Sequence, residues 1–151
     1  MNSKVDKYIH EQLNELYYEC CDVVTDYEYN KKHIWSCDPK EYTLNSVEEQ
    51  VDHIVNAVEI FQDAELITNG ERLLCQFCAH QMQREANRML REHIKASGYQ
   101  FRVTGRYIDY GVHERATTVT AKDREEAIAK FVAQCGNRYN HFEVTQYGKE
   151  N

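Results

Sequence analysis

Val5, Ile9, Leu13, Leu16, Cys20 and Val23/Val24 recur at spacings of three and four, the period of one face of an α-helix. Lys7, Glu11, Glu15, Glu19 and Asp22 hold the opposite face. Ser3 is placed to cap this helix, with Asp6 in its first turn, and the pattern predicts a helix to about Thr25. Tyr27 to Thr43 (YEYNKKHIWSCDPKEYT) shows no clear period and holds the sole proline, so it reads as a loop or irregular hairpin. Ser46-Val-Glu-Glu49 has the form of a capping box. Behind it Val47, Val51, Ile54, Val55, Val58 and Phe61 predict a second amphipathic helix. Asn69-Gly70 breaks the chain. A third helix is predicted from Glu71 to Ala96. Its apolar side is Leu73, Leu74, Phe77, Cys78, Met82, Ala86, Met89, Leu90 and Ile94, and Ser97-Gly98 ends it.

After Gly98 the period changes to two. Phe101, Val103 and Tyr107 alternate with Arg102, Thr104 and Arg106, the mark of a strand. Asp109-Tyr-Gly111 turns it, and Arg115 to Thr120 (RATTVT) is rich in strand formers and pairs back as a hairpin. Asp123 with Glu126 starts a fourth helix, buried through Ala127, Ile128, Phe131 and Val132 and closed by Gly136. His141 to Tyr147 (HFEVTQY) is a third strand. The expectation is an α+β fold, with a helical part over residues 1–98 and a small antiparallel ββαβ unit over 99–151, together one compact domain.

Hydrophobic residues at 42% of 151 can build a core, so the chain is not a disordered acidic tail. No apolar run approaches the roughly 20 residues that span a bilayer. The N-terminus is charged and periodic, unlike a signal peptide. These features lead us to expect a soluble, cytoplasmic protein with no membrane partner, whose six cysteines are reduced thiols.

Charge changes the picture most. Up to Gly70 fifteen acidic residues face five lysines and no arginine, about −10. From Glu71 onward ten acids face thirteen Lys or Arg, about +3. The acidic half also holds the only tryptophan and six of eleven tyrosines. Carboxylates at phosphate-like spacing imitate a nucleic-acid backbone, and Tyr and Trp supply rigid interface anchors. Glu15, Tyr18, Glu19, Asp22, Asp26, Tyr27, Glu28, Tyr29 and Trp35 are therefore the candidate protein-binding residues. Set against this, the same residues are also what ordinary solvated helices carry.

Arg84, Arg88, Arg91 and Lys95, spaced by four, three and four, share one helix face. With Arg102 and Arg106 they form an alternative, nucleic-acid-binding set. Pairing with the acidic helices, or plain solvation, is the preferred explanation of the stripe. Cys75-Gln-Phe-Cys78 matches CxxC and, with His33 and Cys37, would offer four zinc ligands. It lies in a helical pattern with Cys78 on the apolar face, so no metal is expected. Arg88 and His93 fit a loose R-x₄-H spacing found in some helical ribonucleases. The chain lacks GxSxG, HExxH and a Gly-rich phosphate loop, and we expect no catalysis and no cofactor.

The final third, Phe101 to Tyr147, resembles the β-hairpin–helix–strand units of phage and conjugative-element proteins of the DpnD/PcfM-like group. Val119 to Phe131 (VTAKDREEAIAKF) carry the likeness. The last strand lacks that group's acidic segment, and no functional residue follows from the match. The setting it implies is a mobile-element accessory protein. By analogy that suits an acidic inhibitor of host defence, of the anti-CRISPR or antirestriction kind, with a basic nuclease surface as partner. The alternative is a nucleic-acid-binding accessory protein, and a small RNase is a third reading. A homo-oligomer is compatible with any of these.

Overall fold

The structure, a computed structural model, describes residues 3–34 and 36–147. Four helices come first: α1 (Ser3–Cys21), α2 (Val23–His33), α3 (Pro39–Asp63) and α4 (Asn69–Ser97). The first helix does not end near Thr25. It is interrupted at Asp22 and resumes at once, with Asp22 N–H bonded to Tyr18 O and Asp26 N–H to Asp22 O. The segment expected as a loop from Tyr27 is thus mostly helical. Burial explains this: Val23 and Tyr27 enter the helical core, and Asn30 Nδ2 donates to Thr43 Oγ1 on α3 at 2.9 Å. Two apolar anchors suffice where no repeating pattern exists.

The second helix also starts earlier than expected. Asp38 is its N-cap, accepting from Lys40 N–H at 2.9 Å, and Pro39 occupies the first turn, where its missing N–H costs nothing. Ser46 to Glu49 are interior to α3 and form no cap. Asn69-Gly70 is likewise not a break but the first two residues of α4. Thr68 caps α4 in a capping box with Glu71: Glu71 N–H donates to Thr68 Oγ1 at 3.1 Å and Thr68 N–H to Glu71 Oε1 at 2.9 Å. Ser3 is itself helical.

Val47, Val51 and Ile54 of α3 pack against Leu16, Cys20 and Tyr27 on one side and Ala79, Ala86, Leu90 and Ile94 of α4 on the other. A second cluster joins Val5, Ile9, Val58, Ile67 and Cys75. The apolar face of α4 is the expected one at Ala86, Leu90 and Ile94, which are buried, but differs in the first turns of the helix. There Leu73, Leu74 and Phe77 are exposed, whereas Cys75 and Ala79 are buried. Small side chains on the inward face of these turns let α4 approach α1 and α3 closely, and Leu73, Leu74 and Phe77 are left outside.

The chain then forms β1 (Tyr99–Ile108), β2 (Val112–Ala121), α5 (Arg124–Cys135) and β3 (His141–Tyr147). The sheet is antiparallel in the order β2-β1-β3, so the fold is α+β with the helices leading, as the periodicity implies. Gly98 ends α4 at φ 102°, a conformation that favours glycine. Asp123 caps α5 by accepting from Glu126 N–H at 2.8 Å. Phe131 and Ala127 of α5 cover Phe101, Val103, Val119 and Ala121. Tyr99 packs against both this core and the helical one, which ties the sheet to the bundle. No described helix is long and apolar enough to cross a membrane.

Candidate functional site

The helical period of α1 places Glu11, Glu15, Tyr18 and Asp22 on one exposed strip. Glu19 is turned toward α3 and is half-buried. Burial, then Asp26 and Glu49, push its carboxyl above the ordinary value. Asp26 is pushed up by burial and by Asp22. Glu19, Asp22, Asp26 and Glu49 thus converge from three helices, and among the described residues none has an ion-pair partner. Four carboxylates that repel one another are an arrangement that an external cation relieves.

Aromatic rings flank this group. Tyr18 is 66% exposed, and its ring meets that of the exposed Tyr17 edge-on at 5.6 Å. Tyr29 is exposed and stacks on His33 at 4.0 Å. Two expected members stand elsewhere. Tyr27 is 2% exposed. Its ring fills the helical core, and burial lifts its hydroxyl far above the usual range. Glu28 turns to the opposite side of α2, where His93 Nε2 lies 2.6 Å from Oε1 and Lys31 Nζ lies 2.9 Å from Oε2. Burial pushes the Glu28 carboxyl up, but those two partners together outweigh it and hold it below the ordinary value. Trp35 lies outside the described residues.

The basic stripe is on the outward face of α4: Arg84, Arg88, Arg91 and Lys95 are all exposed. Leu73 and Phe77 continue the same face toward the helix start. Arg88 pairs with Glu85 and with Glu92, the latter at 2.7 Å, so its partners belong to its own helix rather than to the acidic helices. Arg106 joins Glu114 at 2.7 Å and Glu143 at 3.4 Å across the sheet. Arg102 belongs to a separate cleft of about 590 Å³ between α2 and the sheet, with Lys31, Lys32, Gln100, Thr118 and Thr120. The candidate cations therefore do not form one surface.

Cys75 and Cys78 line a groove between α1 and α4 with Asp6, His10 and Leu74. His33 Nδ1 donates instead to Tyr29 O at 2.8 Å. Among the described residues no group of three or more His, Cys, Asp or Glu is arranged to hold a metal ion. His93 packs edge-on against Tyr27 with ring centroids 6.1 Å apart. Arg88, five residues away on the helix, points to solvent, so the two share no face.

Lys31 and Lys32 are the functional candidates that sequence reasoning passed over. Their adjacency was visible, but the acidic total of the surrounding half hid it. No protein-family model matches this chain, and neither a curated protein nor a solved structure matches it.

Proposed function

We propose that this chain is a non-enzymatic binding protein whose acidic, tyrosine-bearing face occupies a cationic surface on a protein partner. The occupied surface would be a nucleic-acid-binding site of a host defence nuclease. That reading makes the chain an inhibitor of the anti-CRISPR or antirestriction kind, encoded by a phage or mobile element and acting in the bacterial cytoplasm. The observation that supports it is the convergence of Glu19, Asp22, Asp26 and Glu49, with no ion-pair partner among the described residues, beside the exposed Tyr18. A monomer gains no stability from holding such charges together. A partner's Lys and Arg would turn that repulsion into steered association. Competition by occupancy needs no catalytic residue.

The test is capture from host lysate with and without nuclease treatment, repeated with Glu15→Lys combined with Asp22→Lys, and with Tyr18→Ala. All three positions are exposed, so the fold should survive, and thermal melting checks this. The expected result is a protein partner that survives nuclease treatment. Charge reversal should slow its association, most strongly at low salt, and Tyr18→Ala should speed its dissociation. Undiminished capture by the folded double reversal sinks the proposal.

The second reading, nucleic-acid binding through α4, draws on the outward placement of Arg84 and Arg91. It requires tight, salt-sensitive binding of DNA or RNA that disappears with Arg84→Gln and Arg91→Gln.

A further inference from the structure

Residues alternate across a strand. Gln100, Arg102, Thr104 and Arg106 therefore point away from Phe101, Val103 and Gly105, which face α5. Cross-strand pairing sets them in rows. Tyr147, Gln100 and Thr120 form one row, and Thr145, Arg102 and Thr118 the next. Helix α2 runs beside these two rows and contributes Lys31 and Lys32. The result is a cleft of about 590 Å³ with a hydroxyl- and amide-bearing floor and a cationic wall. Gln100, 5% exposed, donates to Thr120 Oγ1 at 3.1 Å and so fixes the floor.

The charge balance of the cleft is unlike that of the helices around it. Lys31, Lys32 and Arg102 bring three positive charges, and Glu28 brings one negative charge. The Glu28 carboxylate is already shared between Lys31 and His93. Lys31 is held in place, with a side chain only 11% exposed and its Nζ 5.3 Å from the Tyr27 ring centre. The residues that line the cleft are thus net cationic. A planar guanidinium, a fixed ammonium and threonine hydroxyls are the donors that recognise phosphate oxygens. The lining has no aromatic ring on which a base could stack, and the volume falls in the range of small-ligand sites.

We propose that the cleft between α2 and the open sheet face is a binding site for a phosphate-bearing ligand, held through its phosphates by Arg102, Lys31, Lys32 and the hydroxyls of Thr118 and Thr120. The phosphates can come from a small polyphosphate or from the backbone of a single strand. The site is independent of the acidic face, so failure here leaves the protein-binding proposal standing.

The probe is inorganic pyrophosphate, titrated by calorimetry at low ionic strength and by amide chemical-shift mapping. Saturable binding is expected, with shifts concentrated at Arg102, Thr118 and Thr120. Arg102→Gln and Lys32→Gln should each weaken it about tenfold, as the loss of a charge-assisted bond implies, and Arg84→Gln should leave it unchanged. Both cleft residues are exposed, and melting curves verify that the variants fold. Competition by a short single-stranded oligonucleotide identifies the source. Tighter binding that displaces pyrophosphate assigns a nucleic-acid backbone, and an oligonucleotide that fails to compete assigns a small polyphosphate. The proposal is overturned if pyrophosphate and oligonucleotide both fail to bind. It is equally overturned if binding survives Arg102→Gln and Lys32→Gln but is lost with Arg84→Gln.

Discussion

Glu19→Gln and Asp26→Asn should make the protein more stable. Each removes a charge and keeps the side chain's shape. In the folded chain both carboxyls titrate above their ordinary values, first through burial and then through neighbouring carboxylates. A raised folded pKa means the stabilising contribution is complete below the unfolded value, about 4.3 for Glu and 3.9 for Asp. It is lost as pH rises through the folded value. At neutral pH the native chain has lost it, and the two amides do not. Asp26 is exposed and Glu19 only partly buried, so solvent screening limits the gain to about 0.5 kcal/mol each. A double variant then gains about 1 kcal/mol, which for a domain of this size raises Tm by about 2–4 °C. Scanning calorimetry at pH 7 reads this directly. The gain should shrink in high salt, where the Debye length falls to about 3 Å, and it should vanish near pH 3.5. Partner binding should weaken as stability rises, the trade-off expected when strained charges serve recognition. A double variant that melts at or below the native temperature at pH 7 and low salt would refute the argument, because the carboxylates would then be compensated.

Two further outcomes follow from the packing. Gly105→Ala would place a Cβ 2.6 Å from Phe131 Cε1 and 3.0 Å from Tyr139 Cδ1; overpacking of this kind costs about 1–3 kcal/mol, and a urea midpoint equal to that of the native chain would contradict the placement of α5 on β1. At neutral pH Cys21 and Cys37, both exposed, should be alkylated promptly, whereas the adjacent Cys20 should resist, since it is buried and burial pushes its thiol up to about 11; equal labelling of Cys20 and Cys21 in a peptide map would put the buried face of α1 elsewhere.

The C-terminal unit is legible in the sequence because each of its elements carries a local signal. The period of two along β1, the Asp109-Tyr-Gly111 turn, the Asp123 cap and Gly136 act over a few residues and agree with one another. The helical half is less legible because its boundaries depend on partners far along the chain. Ser46-Val-Glu-Glu49 and Thr68-Asn-Gly-Glu71 have the same capping form, yet only the second caps a helix. The first is overridden upstream by Asp38-Pro39, and the second is masked by an Asn-Gly pair that elsewhere marks a turn. Residues 27–33 have no apolar period, but Tyr27 and the Asn30–Thr43 hydrogen bond anchor them, and a tyrosine pattern does not announce which ring goes inside.

The same physics divides the candidate site. Glu15, Tyr18 and Asp22 follow from the period of α1, because they lie opposite its apolar face and are exposed. Glu28 could not be assigned, since its partner His93 is 65 residues away. The count of charges per half misled in one further respect: it averages over both sides of α2. Asp26 stands one turn before Asn30, which bonds Thr43 of α3, while Lys31 and Lys32 face the sheet. A helix that is acidic toward α3 and cationic toward β1 and β2 reads as a short neutral segment in composition. In space it separates two surfaces of opposite sign. A cationic protein and a phosphate-bearing ligand would approach this helix from different sides, so neither need exclude the other. Saturating pyrophosphate should therefore leave capture of a protein partner intact, and the acidic and cationic surfaces can be tested in the same molecule without either experiment deciding the other.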